Sequence, residues 1–255
     1  MSKEYKRTLV IGDIHGGLKA LTQVLDRAEV NQDDHIIFLG DYVDGWSDSA
    51  AVISYLQALG VTQKDTDGRR VGDTTFIKGN HDDLVRQWLE GRTMSPMWLQ
   101  HGGQTTIDAY AQFTDSEKQH HLTFYNGLLN YYIDSENRMY CHAGFQNLKG
   151  PEHEWHDTAF FWDRTLWEMV CAMRTDLRPD DAFYPKRLKR FKEIYIGHTP
   201  VTRIGADRPV QKANVWNIDT GAAFKGTISA MDVDSKEVWQ SDPVWQLYPE
   251  EAGRN

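Results

Sequence analysis

Thiols are the first thing this sequence has little of. Only 2 cysteines, Cys141 and Cys171, occur in 255 residues, and neither stands in a Cys-x-x-Cys spacing. A thiolate zinc site is therefore excluded, and both thiols are read as buried, reduced and inert. Basic charge is also short: 28 Lys and Arg face 37 Asp and Glu, for a formal charge of −9. That balance leaves no face for a nucleic-acid duplex, whose phosphate backbone needs a basic surface. Long hydrophobic runs are missing too. The apolar run after the charged residues 1–7 is too short for a signal-peptide core or a membrane span, so a cytoplasmic protein with no membrane partner is expected. No low-complexity tract or linker divides the chain, and 1–255 is read as a single catalytic domain.

What is present is a large core and a repeated plan. Hydrophobic residues make up 40% of the chain, with 9 Trp among them. Apolar, β-branched runs at 7–12, 35–39 and 74–78 read as strands. Each stops at a Gly-bearing loop: Gly12-Asp13-Ile14-His15-Gly16, Gly40-Asp41-Tyr42-Val43-Asp44-Gly45 and Gly79-Asn80-His81-Asp82. Leu18, Leu21, Leu25 and Ala28, then Val52, Ile53, Leu56 and Leu59, recur at helical spacing after the first two loops. These are strand-loop-helix units with side chains for chemistry in the loops. Later strands are read at 130–133, 138–141, 193–196, 215–218 and 227–233, two of them ending in His142-Ala143-Gly144 and Gly197-His198-Thr199. Residues 63–70 read as a surface loop, 82–127 as a helical cap over the site, and 160–175 as one helix.

In α/β sheets ligands bind beyond the carboxyl ends of the strands, so these loops should share one edge. Asp13 and His15, two apart in extended backbone, would face the same way and grip one ion. The adjacent Asn80 and His81 would diverge, one to metal and one to substrate. Asp41, ending a buried strand, would be costly without positive charge on it and reads as a ligand bridging two metals. Oxygen and imidazole donors without thiolate suit Mn, Fe, Zn or Co. His35, His120, His121, His153 and His156 read as ordinary core or surface residues. His101 is open between cleft and surface. The basic run 186–192 reads as a solvated face and 151–157 as a loop near the entrance.

The five blocks, in this order, resemble the calcineurin-like metallophosphoesterase superfamily, and within it the bacterial and phage branch of the phosphoprotein phosphatases. Further similar stretches are 98–110, Phe161-Trp162-Asp163-Arg164 and 217–226. The resemblance implies an α/β fold, a metallophosphoesterase-type β-sandwich of mixed sheets flanked by helices. It implies two divalent metal ions, manganese first, with iron, zinc, cobalt or nickel as other candidates. Asp13, His15 and Asp41 would hold one, and Asp41, Asn80, His142 and His198 the other. His81 would be the general acid and Asp44 its partner, favouring the imidazolium; Arg164 and Asn80 would contact the phosphate.

The implied reaction is hydrolysis of phosphomonoesters by a metal-bridging hydroxide, on phosphorylated serine, threonine or tyrosine of a protein or on a small phosphoester. The alternative is a symmetric dinucleoside polyphosphate hydrolase or phosphodiesterase, and a third reading is a noncatalytic phospho-ligand module. One departure stands out. Relatives carry Arg-Gly after the second aspartate, where this chain has Gly45-Trp46. A phosphate-gripping arginine worth roughly 1.5 to 3 kcal/mol is thus missing. Arg86, Arg69, Arg70 or the 186–192 run are the candidate substitutes. Trp46 is a candidate platform for a nucleotide base, and arginine restored at 45 should improve turnover of an aryl phosphate.

Overall fold

A computed structural model describes residues 5–62 and 72–255. The expected loop at 63–70, with Arg69 and Arg70, lies outside the described residues. In chain order come β1 (Arg7–Ile11), α1 (Leu18–Arg27), β2 (Asp34–Phe38), α2 (Ser49–Thr62), β3 (Asp73–Phe76) and α3 (Asn80–Leu89). Short helices α4 (Pro96–Trp98) and α5 (Gln104–Ala109) precede the longer α6 (Asp115–Asn126). Then follow β4 (Tyr131–Ile133), β5 (Arg138–Cys141), α7 (Ala159–Trp162), α8 (Thr165–Ala172), β6 (Glu193–Ile196), β7 (Val210–Lys212), β8 (Val215–Asn217), β9 (Ser229–Asp232), β10 (Val238–Gln240) and α9 (Val244–Leu247).

The strands form two five-stranded sheets, in the orders β10-β9-β1-β2-β3 and β4-β5-β6-β8-β7. Both are mixed: β1, β2 and β3 are parallel, as are β5, β6 and β8, while the remaining pairings are antiparallel. The expected sandwich of mixed sheets flanked by helices is the fold observed. Among the described residues no helix is long and apolar enough to cross a membrane.

The period of two along each strand explains the layering. Val10, Ile37, Tyr140 and Tyr195 point inward and form the core between the sheets with Ile218 and Met231. Their neighbours Leu9, Ile11, Ile36 and Phe38 point the other way, onto Leu21 and Val24 of α1 and Val52 and Leu56 of α2. On the second sheet Met139, Cys141, Ile194 and Ile196 face Leu166 and Val170 of α8. Strands covered on both faces read as continuous apolar runs, which is how they were legible. Each fully buried aliphatic side chain contributes about 1.5 to 3 kcal/mol.

Three expectations change. The edge strands β7 and β10 are only 3 residues each, too short to show a period. The helix expected over 160–175 is two, because Asp163 interrupts it: its carboxylate accepts the N–H of Thr165 at 3.0 Å and of Leu166 at 3.2 Å and caps α8. Finally, Cys171 is exposed while Cys141 is buried. The buried face of α8 is Leu166, Trp167 and Val170, and Cys171 lies just beyond it.

In the helical segment His121 is buried between Tyr110, whose hydroxyl is 2.7 Å from Nδ1, and Ser54, whose Oγ is 3.1 Å from Nε2. Burial pushes its pKa down from 6.5 to about 4. The neutral ring is thus the folded form, and its stabilisation is complete above pH 6.5 and declines as pH falls toward 4. Urea midpoints at pH 7 and pH 4.5 should show the wild type losing about 2 to 3 kcal/mol more than His121→Gln. Parallel losses would show that the ring titrates alike in both states.

Candidate active site

Six parallel strands end at one edge, and each is followed by a polar side chain turned into a common space. Asp13 follows β1, Asp41 follows β2, Asn80 follows β3, His142 follows β5, His198 follows β6, and Asp219 follows β8. All six are buried. The donor atoms of Asp13, His15 and Asp41 lie within 4.8 Å of one another, as do those of Asp41, His142 and His198. Asp41 belongs to both groups. Its Oδ1 accepts the backbone N–H of His81 at 2.9 Å, leaving Oδ2 3.6 Å from His15 Nε2 and 3.3 Å from His142 Nε2. One oxygen is held by the backbone, and the other faces both histidines.

The histidine tautomers follow from their neighbours. His15 Nδ1 lies 3.0 Å from the Val43 carbonyl and 2.9 Å from that of Asp44, and His142 Nδ1 lies 2.9 Å from the Leu39 carbonyl. Carbonyls only accept, so Nδ1 carries the proton and Nε2 turns its lone pair inward, the arrangement of a metal-binding imidazole. Asn80 Oδ1 is 3.2 Å from His142 Nε2. Among the described residues, buried His198 Nε2 has no hydrogen-bond partner. Nitrogen and oxygen donors converging around an orphaned imidazole nitrogen fit a pair of divalent ions.

Electrostatics point the same way. Burial opposes ionisation of Asp41, yet His142, His81 and His15 hold it well below the usual carboxylate range. Burial and then the charge of Asp41 push Asp82 up; burial and then Asp13 push Asp219 up. Crowded buried carboxylates of this kind are relieved by positive charge placed among them.

Beside the ligand groups, His81 Nδ1 is 2.7 Å from Asp44 Oδ2. That carboxylate also accepts from Trp98 Nε1 at 2.6 Å and from Thr106 Oγ1 at 2.6 Å. The helical segment thus reaches the site through two residues that carried no assignment in the sequence, although Trp98 opens the 98–110 stretch. Asp44 pulls the His81 pKa up as anticipated, but burial is the larger influence and takes it below its ordinary value; Arg254 lowers it further.

Several expectations about the loops are corrected. His15, Asp41, Asp44 and His198 have φ of 51°, 53°, 66° and 68°, in the left-handed region. Asp13 and His15 therefore meet through a turn and not by alternation along a strand. Each such residue costs on the order of 1 kcal/mol, a strain concentrated at functional sites. Trp46 is fully buried, stacked on Tyr248 at 5.5 Å, with Nε1 donating to the Ala222 carbonyl at 2.8 Å, so no base can stack on it. Gly45 has φ 154°, and a Cβ there would sit 2.8 Å from the His15 carbonyl oxygen, so arginine at 45 would strain the loop and not repair it. Arg86 is tied to Asp83 and Glu90, and Arg187 to the Phe145 carbonyl, away from the cleft. The cleft, about 310 Å³, is instead lined by Arg164, Arg203 and Arg254, with His81, His101 and Trp162. Arg164 Nη1 donates to Thr199 Oγ1 at 2.8 Å.

Residues 6–209 match the family model described as calcineurin-like phosphoesterase, and the chain belongs to that metallophosphoesterase family. It is 26% identical over 237 residues to the asymmetrical bis(5'-nucleosyl)-tetraphosphatase PrpE of Bacillus mycoides (strain KBAB4), covering 87% of this chain and 88% of that one. Among solved structures, one described provisionally as a diadenosine tetraphosphatase shares the fold with a TM-score of 0.59 at 19% identity, covering 92% of each chain. A serine/threonine phosphatase from Saccharomyces cerevisiae does so with a TM-score of 0.61 at 14% identity, covering 95% of this chain and 84% of that one.

Asp82 fixes the loop that presents Asp41: its carboxylate accepts the N–H of Asp41 at 2.8 Å, of Tyr42 at 2.9 Å and of Gly79 at 2.8 Å. Asp82→Ala would strand three buried donors, and chelated protein should lose about 3 kcal/mol in urea unfolding. A loss below about 1 kcal/mol would mean that other groups hold the loop.

Proposed function

We propose that this chain is a dinuclear metal-dependent phosphatase that hydrolyses phosphomonoesters, with phosphorylated serine, threonine or tyrosine of proteins as its substrate class. One observation carries the reading: a single carboxylate, Asp41, lies in two donor groups at once, with a buried His–Asp pair beside it. Asp13 and His15 would hold one ion and Asn80, His142 and His198 the other, with Asp41 common to both. Bound there, two ions, manganese first among the candidates, supply a water-derived nucleophile at neutral pH and neutralise the phosphate.

The remaining work belongs to the chain. Arg164, whose guanidinium lines the cleft, orients phosphate oxygens through a rigid fork of donors, and Asn80 adds an amide. His81, with Nδ1 committed to Asp44, presents Nε2 for proton transfer to the leaving oxygen. Trp98 and Thr106 hold Asp44, which is the support for reading residues 82–127 as a cap on a single catalytic domain.

A second reading, hydrolysis of dinucleoside polyphosphates or another phosphodiester, has its own observation. A groove of about 410 Å³ adjoins the cleft through Trp162 and Arg164 and carries Trp155. Trp162 is 46% exposed and Trp155 80%, surfaces on which a base can stack. The Bacillus mycoides relative bears a dinucleoside tetraphosphatase name, though asymmetrical where the alternative expected was symmetric.

Products from a phosphopeptide and from diadenosine tetraphosphate, followed side by side on metal-replete protein, decide between the two. Release of inorganic phosphate from the peptide at the higher kcat/KM is expected; preference for the dinucleotide would install the second reading. Asp41→Asn should remove both activity and most bound metal. His81→Asn should keep the metal and slow turnover by about 10²- to 10⁴-fold. Equal metal loss in both variants would overturn these roles.

A further inference from the structure

We propose that Arg254 is a second phosphate-contacting arginine, carried into the cleft by the 251–254 segment to supply the cation that position 45 lacks. This rests on the phosphoester reading above. Arg254 lines the same cavity as Arg164, Asp41 and His81. Its Nε is buried without a hydrogen-bond partner, and among the described residues its guanidinium has no carboxylate partner. Its one side-chain contact of note is with the Phe224 ring, 5.5 Å to the centroid. Arg254 as a whole is only partly buried, but its Nε is withdrawn from water and unpartnered among the described residues, and an anion entering the cleft supplies the missing acceptor.

The backbone that carries Arg254 is seated, and the seat is made by Trp46, one of the two residues that depart from the family pattern, and by Ser47 beside it. Glu251 accepts the Ser47 N–H at 2.9 Å and the Ser47 hydroxyl at 2.6 Å. Gly253, with φ 60°, lies so close to Trp46 that a Cβ would stand 2.7 Å from the ring. Arg254 N–H donates to the Ala223 carbonyl at 2.9 Å, next to the Ala222 carbonyl that accepts from Trp46. Trp46 in turn stacks on Tyr248, whose hydroxyl donates to Asp48 at 2.6 Å. Trp46 and Ser47 dock the segment, and Arg254 projects from it into the cleft that Arg164 also lines.

Calorimetric titration of metal-replete protein with inorganic phosphate tests this without relying on turnover. Arg254→Gln should weaken phosphate about 10- to 100-fold, the scale of one charge-assisted contact, with metal content unchanged. Arg254→Lys should recover part of the loss, since it restores charge without the planar fork. Glu251→Gln, which loosens the seat, should give a smaller loss in the same direction. In hydrolysis of an aryl phosphate, KM should rise with the phosphate dissociation constant while kcat changes less. Phosphate affinity within about twofold of wild type in Arg254→Gln, or a loss that merely follows metal content, would overturn the proposal. A wild type that binds phosphate but turns over no phosphoester would overturn the phosphoester reading instead, and the titration would still report on Arg254.

Discussion

Five carboxylates, those of Asp13, Asp41, Asp44, Asp82 and Asp219, are buried at one end of this molecule, and everything around them is arranged to make that tolerable. Isolated buried charges are prohibitively unstable, and several of one sign in a small volume more so. Each carboxylate is therefore tied to donors. Asp82 takes three backbone N–H groups, Asp41 one from His81, Asp13 one from His198 and Asp219 one from Gly221. Asp44 takes an indole, a hydroxyl and an imidazole. Donors favour the charged forms, but burial first and then repulsion from Asp41 and Asp13 still raise Asp82 and Asp219. Divalent cations at the centre would resolve a conflict that hydrogen bonds leave open.

That arrangement accounts for the loops. A ligand leaving a strand on an ordinary extended path would point along the sheet edge, whereas the left-handed turns at His15, Asp41, Asp44 and His198 fold the side chains back over it. The strain is held by the donors of the carboxylate network, and by His15 N–H and Ile14 N–H, both of which donate to the Asp41 carbonyl at 2.9 and 3.0 Å. The first two ligand loops thus brace each other through the backbone as well as through their side chains.

Much of this was legible in the sequence, and the reason is local. Asp13, His15, Asp41, Asn80, His81, His142 and His198 each sit within a few residues of the strand that delivers them, so a strand pattern next to a Gly-bearing loop marks them. The sandwich came with the family resemblance that these blocks carry, while the apolar runs marked its strands. What escaped lacks a local pattern. Asp219 follows a strand legible at 215–218, but its loop Asp219-Thr220-Gly221 carries no histidine or second ligand to mark it. Trp98 and Thr106 reach Asp44 from 54 and 62 residues away, and Arg254 comes from the far end of the chain. Trp46 misled for a related cause: an aromatic in a ligand loop looks like a binding platform until the distant Tyr248 and Ala222 that cover it are known.

The division of the site between two sheets adds a further constraint. Asp13, His15, Asp41, Asn80 and His81 come from the first sheet, while His142, His198, Asp219 and Arg164 come from the second or its helices. The separation of the two donor groups is therefore set by the packing between sheets, where Val10, Ile37 and Leu39 meet Tyr140, Tyr195 and Ile218. Hydrogen bonds also cross directly: His142 Nδ1 donates to the Leu39 carbonyl, fixing the second sheet's ring against the first sheet's strand end, and His198 N–H donates to Asp13. Close-packed cores deform little, so a methyl group gained or lost between the sheets is felt as a change in the distance across which Asp41 must be shared. The core side chains in this layer position the chemistry although they touch none of it.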